Sequence, residues 1–284
     1  MAAIGDLVLT HDVIAQGVHY LSGDPPESVA AKLVAVTLSD LAAKGATAVG
    51  ALLGYCLGEG DWDRRFVAGL GDALAEYDCP LLGGDTIALP PEAPRVLGLT
   101  AIGRAGVRVP NRAGGRRGDG LWLIGSLGDA SAGLAQLLVE PNAAGPLIDA
   151  YRRPRALIAA GKAMAPFASA MMDVSDGLLI DARRMADASG VRIMIDLAAL
   201  PLSDAFHAAR GDDRAARLFA ATGGDDYALL AALPTGTESE VTKCLPSGAH
   251  LVRIGELVAG AGIALTDAGE PIELPEHLGH EHHT

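Results

Sequence analysis

Residues 169–181 read Ser-Ala-Met-Met-Asp-Val-Ser-Asp-Gly-Leu-Leu-Ile-Asp. The first six are an apolar run of strand length that closes on Asp173 and Val174. Ser175-Asp176-Gly177 is a turn, and apolar residues then recur at helical spacing to about residue 188. A carboxylate at the end of a buried strand, followed by a Gly turn and a helix, is the pattern by which α/β proteins build a ligand cleft. Outward from this unit the alternation repeats. A strand is expected at 191–196 and a helix at 154–168. Further upstream lie a strand at 121–125 and a helix from Asp129 to Val139, and downstream the runs 226–233 and 250–257 read as strands.

The N-terminal third alternates in the same way. Strand 6–10 leads to a helix opened by Pro25-Pro26 and stopped near Lys44 by Gly45. Strand 47–56, a helix over 62–78 capped by Asp61, the apolar 80–82 running into Gly83-Gly84-Asp85-Thr86, and strand 95–104 follow. Trp62 and Phe66, four apart on that helix, read as core. Residues 105–120 are rich in Gly and Arg and broken by Pro110, which makes them the best boundary in the chain. The expected class is α/β (or α+β) in two lobes, 1–107 and 108–284, with the active cleft between them.

Composition narrows the function. The chain has 284 residues, half of them hydrophobic, with 4% aromatic residues and 36 glycines. That supports a sizeable packed core and argues against an aromatic base-stacking surface. Net charge is −13, and no basic stripe appears, so nucleic acid is not an expected partner. Cys56, Cys79 and Cys244 are far apart and form no CxxC, as in a reduced cytoplasmic protein. No signal peptide or membrane span is expected.

None of the common nucleotide, hydrolase or zinc-protease motifs is present. What remains is a set of aspartates at the ends of apolar segments: Asp12, Asp40, Asp85, Asp173, Asp176, and the pair Asp225-Asp226 after Gly223-Gly224. Converging carboxylates repel unless cations lie between them, and Mg²⁺ takes one or two carboxylates together with phosphate oxygens. Adjacent glycines let backbone N–H groups approach a phosphate. Each feature also has an ordinary reading. Ser175-Asp176 suits a helix N-cap, worth about 1 kcal/mol, and Gly83-Gly84-Asp85 suits a turn. His19 is open between a substrate contact and a bystander, and the histidines at 277, 280, 282 and 283 read as a solvated tail.

Taken in order, these segments resemble the thiamine-monophosphate kinases, within the superfamily of aminoimidazole ribonucleotide synthetase and selenophosphate synthetase. The matching stretches are Thr10-His11-Asp12 with Gly17-Val18-His19-Tyr20, LSDLAAKGA (38–46), LLGGDT (81–86), NRAGGRRGD (111–119), GSLGDASAGL (125–134), DVSDGLLID (173–181) and GGDDYAL (223–229). The resemblance implies transfer of the ATP γ-phosphoryl group to thiamine monophosphate. It implies magnesium on Thr10, Asp12, Asp40, Asp85, Asp173 and Asp176, and ATP contacts from Gly84, Asp85, Arg112 and Ser175. His19, Asp225 and His280 would contact the thiamine substrate. It also implies a homodimer formed through the N-terminal lobe. No catalytic residue is nominated, because an acceptor phosphate is already a nucleophile at neutral pH and such transfer rests on positioning and charge neutralisation.

Four departures accompany the resemblance. The family's Gly-Asp-Asp-Ala-Ala segment, which carries a metal-binding Asp, does not precede strand 6–10, so either a start downstream of the natural one or a weakened metal site is expected. Asp225 replaces a Glu, His11 replaces a Ser or Thr with the expected loss of one metal contact, and His280 lies where the family has a stacking aromatic. Two alternatives stay open: a synthetase of the same superfamily, and a catalytically silent nucleotide-binding dimer.

Overall fold

The computed structural model describes residues 2–4, 6–58, 60–90 and 93–281. His282 and His283 of the expected tail fall outside these. Among the described residues two sheets form, and nine helices and a short 3₁₀ turn accompany them.

The first sheet holds β1 (Ala2–Ile4), β2 (Leu7–Ala15), β3 (Thr47–Leu57), β4 (Leu81–Ala88) and β5 (Val96–Arg104), in the order β1-β2-β5-β3-β4. Only β3 and β4 run parallel, joined through α2 (Gly60–Glu76). Helix α1 (Pro26–Ala42) packs on one face and is buried along nearly its whole length. Its apolar residues are spread around the helix rather than confined to one stripe, as suits an element packed on several sides. Pro at its first position and Gly45 at φ +61° mark its ends, as expected.

Three expectations are revised here. Strand β2 continues to Ala15, so Asp12 lies within it rather than after it. Asp61 lies inside the first turn of α2, paired with Arg64, and is not its cap. Gly83-Gly84-Asp85-Thr86 is part of β4 rather than a turn. A Cβ on Gly84 would strike the Leu53 backbone, which gives that glycine a packing reason. Trp62 and Phe66 stack at 5.2 Å, with Phe66 fully buried, as the spacing suggests.

The second sheet has the order β12-β11-β8-β10-β6-β9-β7. Its strands are β6 (Gly120–Ile124), β7 (Ala170–Val174), β8 (Arg192–Asp196), β9 (Ala228–Leu233), β10 (Val252–Val258), β11 (Gly262–Asp267) and β12 (Glu270–Ile272). Helices α3 (Asp129–Val139), α4 (Pro146–Arg152), α5 (Ile158–Met164), α6 (Leu178–Ser189), α7 (Asp204–Arg210), α8 (Arg214–Thr222) and α9 (Glu238–Cys244) complete it. The expected helix 154–168 is shorter and preceded by α4, which Gly145-Pro146 opens. Residues 276–281 are not a free tail: Leu278 packs on the core, and the His280 N–H donates to the Asp176 carbonyl at 2.8 Å.

Candidate active site

Segments from both sheets converge on one cavity of about 410 Å³, among them β2, α1, α3, the 173–176 turn and the 224–227 loop. Asp12, Asp40, Asp173, Ser175, Asp176, Asp225, His19 and His280 all line it. Strand alternation puts Thr10 and Asp12 on the face of β2 that looks towards α1. His11 lies on the opposite face, its Nδ1 2.9 Å from Thr100 Oγ1.

The acids are held tightly. The Thr10 hydroxyl donates to Asp40 Oδ2, and Ser39 Oγ donates to Asp173 Oδ2 at 2.7 Å. Asp12 Oδ2 is buried without a partner. Burial, and then the neighbouring Asp40 charge, pushes the Asp12 carboxyl up to about 7. Asp173 is also pushed to about 7, by burial first and Asp40 second, with the Ser39 hydrogen bond opposing.

The 175–176 turn is built from an unexpected residue. The α6 N-cap is Gly177, without a side-chain cap, so neither Ser175 nor Asp176 performs that job. Instead the fully buried Asp181 reaches back and accepts from the Ser175 and Asp176 N–H groups at 3.0 and 3.1 Å. Arg184 bridges Asp181 at 2.7 Å and Asp176 at 2.5 Å. Sequence reasoning missed Asp181, which looks like a helix-surface acid until tertiary burial is known.

A second cavity of about 540 Å³ is lined by Lys44, Asn111, Arg112, Asp181 and Arg184, together with Asp40, Asp173 and Ser175. The two cavities therefore share Asp40, Asp173 and Ser175. The first is lined by acids with no Lys or Arg, and the second sets three cationic side chains against three aspartates. Lys44, also missed from sequence, has its pKa lowered by burial, with Asp40 and Asp173 opposing.

Asp85 is not brought to this cleft within one copy. The register places Val13, Gly98, Gly54 and Asp85 in one row across the sheet, and Asp12, Leu99, Leu53 and Gly84 in the next. Adjacent rows point to opposite faces, so Asp85 faces away from Asp12. Among the described residues no three His, Cys, Asp or Glu side chains close on one point as a preformed metal site. The acids nonetheless suit a hard cation. An orphaned buried oxygen on Asp12 and two raised carboxyls are what a divalent ion and phosphate oxygens would together relieve.

Two sheets enclosing an acid-lined cleft define a protein of the AIR synthase related kind. The family profile for the N-terminal domain matches residues 2–105, and that for the C-terminal domain matches residues 116–268. A thiamine-monophosphate kinase of Caulobacter vibrioides is 41% identical over 204 residues, which span 70% of this chain and 57% of that relative. The crystal structure of thiamine-monophosphate kinase from Stenotrophomonas maltophilia superposes with a TM-score of 0.83 at 33% identity, covering 94% of this chain and 86% of the other. A structure described as AaThiL complexed with AMPPCP and TMP gives 0.83 at 32%, covering 97% and 87%. The chain belongs to the thiamine-monophosphate kinase family.

Proposed function

We propose that this chain transfers the γ-phosphoryl group of ATP to the phosphate of thiamine monophosphate, giving thiamine diphosphate and ADP. The observation that carries the reading is the pair of cavities sharing Asp40, Asp173 and Ser175. In-line transfer needs donor and acceptor phosphates to meet at one junction, with cations there to neutralise their charge. The cavity that carries Lys44, Arg112 and Arg184 takes the nucleotide: Arg112 and Lys44 face its phosphates, and Ser175 lies at the junction. The acidic cavity takes the acceptor against His19, Asp225 and His280. The relative described with AMPPCP and TMP supports the same pair of ligands.

Magnesium belongs to this reading. Thr10, Asp12, Asp40, Asp173 and Asp176 would hold it, and bound there it neutralises the charge of the transferred group. The protein's own part is positioning. Asp181 and Arg184 set the turn, Ser39 and Thr10 orient carboxylates, and the acceptor phosphate attacks without a general base.

We infer lobes at 1–107 and 108–284 and a homodimer through the first sheet. Leu52, Leu81, Leu82 and Ile87 are exposed there, and β4 is uncovered on both faces. Gly84 and Asp85 then serve ATP and metal from that dimer face, where Asp85 reaches the partner's cleft. The three free cysteines fit a cytoplasmic setting.

The test is ADP release with ATP and Mg²⁺, with and without thiamine monophosphate, and identification of the product by mass. The expected outcome is acceptor-dependent release with thiamine diphosphate formed. Nucleotide binding without acceptor-dependent release would overturn the reading in favour of a silent binder or another acceptor.

A further inference from the structure

Lys32 lies in the middle of α1 and is only 2% exposed. Burying an ammonium group is costly unless it is paired and hydrogen-bonded. Its Nζ lies 2.7 Å from Asp225 Oδ2 and 4.0 Å from the centroid of the Tyr151 ring. The partners come from distant parts of the chain: α1 covers the first sheet, and Asp225 precedes β9 of the second.

Asp225 is held from every side but one. Its backbone is left-handed at φ +70°, as is Tyr227 at +52°. The Asp225 N–H donates to the Ser175 carbonyl and the Tyr227 N–H to that of Val174, which ties the loop to the 173–176 turn. Tyr227 Oη donates to Asp225 Oδ1 at 3.1 Å. Both carboxylate oxygens are thus engaged from behind. The side chain keeps 28% of its surface open, and it lines the cavity that also holds Asp12, Asp40, Asp173 and Asp176.

A structural strut alone does not account for this pair. Buried ion pairs contribute little net stability against apolar residues of similar volume. The same seam is already clamped by Arg152 and Asp24 at 2.7 Å. What Lys32 supplies, and an apolar residue would not, is charge compensation for an aspartate that faces the cleft.

We propose that Lys32 is a positioning residue for the phosphorylated acceptor: from behind the cleft wall it cancels the Asp225 charge and fixes the carboxylate as a hydrogen-bond acceptor. An uncompensated Asp225 would repel an incoming phosphate and turn freely. The inference rests on the kinase reading above.

The test compares wild type, Lys32→Met, Asp225→Asn and the double variant. The measurements are KM for each substrate, kcat, thiamine monophosphate binding by calorimetry, and Tm. Lys32→Met should raise the acceptor KM roughly tenfold, equivalent to ~1.4 kcal/mol, and leave the ATP KM within about twofold. The double variant should match Asp225→Asn in acceptor KM, because two residues acting as one unit do not add. Asp225→Asn alone strands a buried cation and should lower Tm, which the double variant recovers. If Lys32→Met moves only Tm, or if the KM effects add, the assignment fails while the kinase reading stands. If wild type neither binds nor phosphorylates thiamine monophosphate, the kinase reading fails and this assignment with it.

Discussion

Asp12 concentrates the electrostatic conflict of the cleft. Its buried Oδ2 lacks a partner, and both it and Asp173 hold their protons to about pH 7 in the fold, against 3.8 for an ordinary Asp. Between about pH 4 and pH 7 the folded chain therefore binds more protons at these sites than the unfolded chain. Their contribution to stability must fall as pH rises through that window, the reverse of a salt-bridged aspartate. Urea midpoints measured without divalent cations should show this decline, and Mg²⁺ with nucleotide should offset it at neutral pH. Asp12→Asn should flatten the slope, raise neutral-pH stability by about 1 kcal/mol and lower turnover about 100-fold or more. A steep slope surviving in Asp12→Asn would place its source elsewhere. The aspartates themselves were legible in the sequence, because they close apolar segments. Lys32 and Asp181 were not, since each looks like an ordinary helix-surface charge, and only packing between distant segments buries them.

At the scale of elements, α6 shows how a helix start can serve chemistry. Asp181, in its first turn, accepts the two N–H groups of the turn that carries Asp176 and shares Arg184 with it. Asp181→Ala would leave two N–H groups and part of a guanidinium unpaired. We expect a loss of about 2–3 kcal/mol in denaturant titration, with Arg184 partly exposed and so partly rehydrated. Activity should fall with it, because the same bonds aim Asp176. Unchanged stability with lost activity would make Asp181 a direct participant instead. The strand–turn–helix order around this unit was readable from periodicity, as were α1, β3, β5 and α3. Short helices such as α7 and α9 escaped because seven residues barely establish a period. The edge strand β4 escaped because its two glycines mimic a turn, and a ladder partner such as Leu53 is invisible in sequence.

For the whole molecule, the question is what covers the outer face of the first sheet. Every residue of β4 is exposed, and Leu52, Leu82, Ile87 and Val13 leave apolar surface open around it. An exposed edge strand of this kind invites pairing, and no charge or proline within Leu81–Ala88 blunts it except Asp85. Two copies meeting there would bury that surface and bring Asp85, turned away from its own cleft, towards the other's. A homodimer through this face would thus also account for the displaced Asp85. Ile87→Lys introduces a charge at the centre of such a face without touching the core of its own copy, since Ile87 is 52% exposed. In sedimentation it should convert the dimer to a folded monomer with little change in circular dichroism. Turnover should drop about 10-fold or more, because the site then lacks the partner's Asp85. Mixing Asp85→Asn chains with Asp12→Asn chains discriminates further. Mixed dimers that recover activity would show that the two copies share each site. A fully active Ile87→Lys monomer would show instead that one chain suffices and that Asp85 has no part in the cleft.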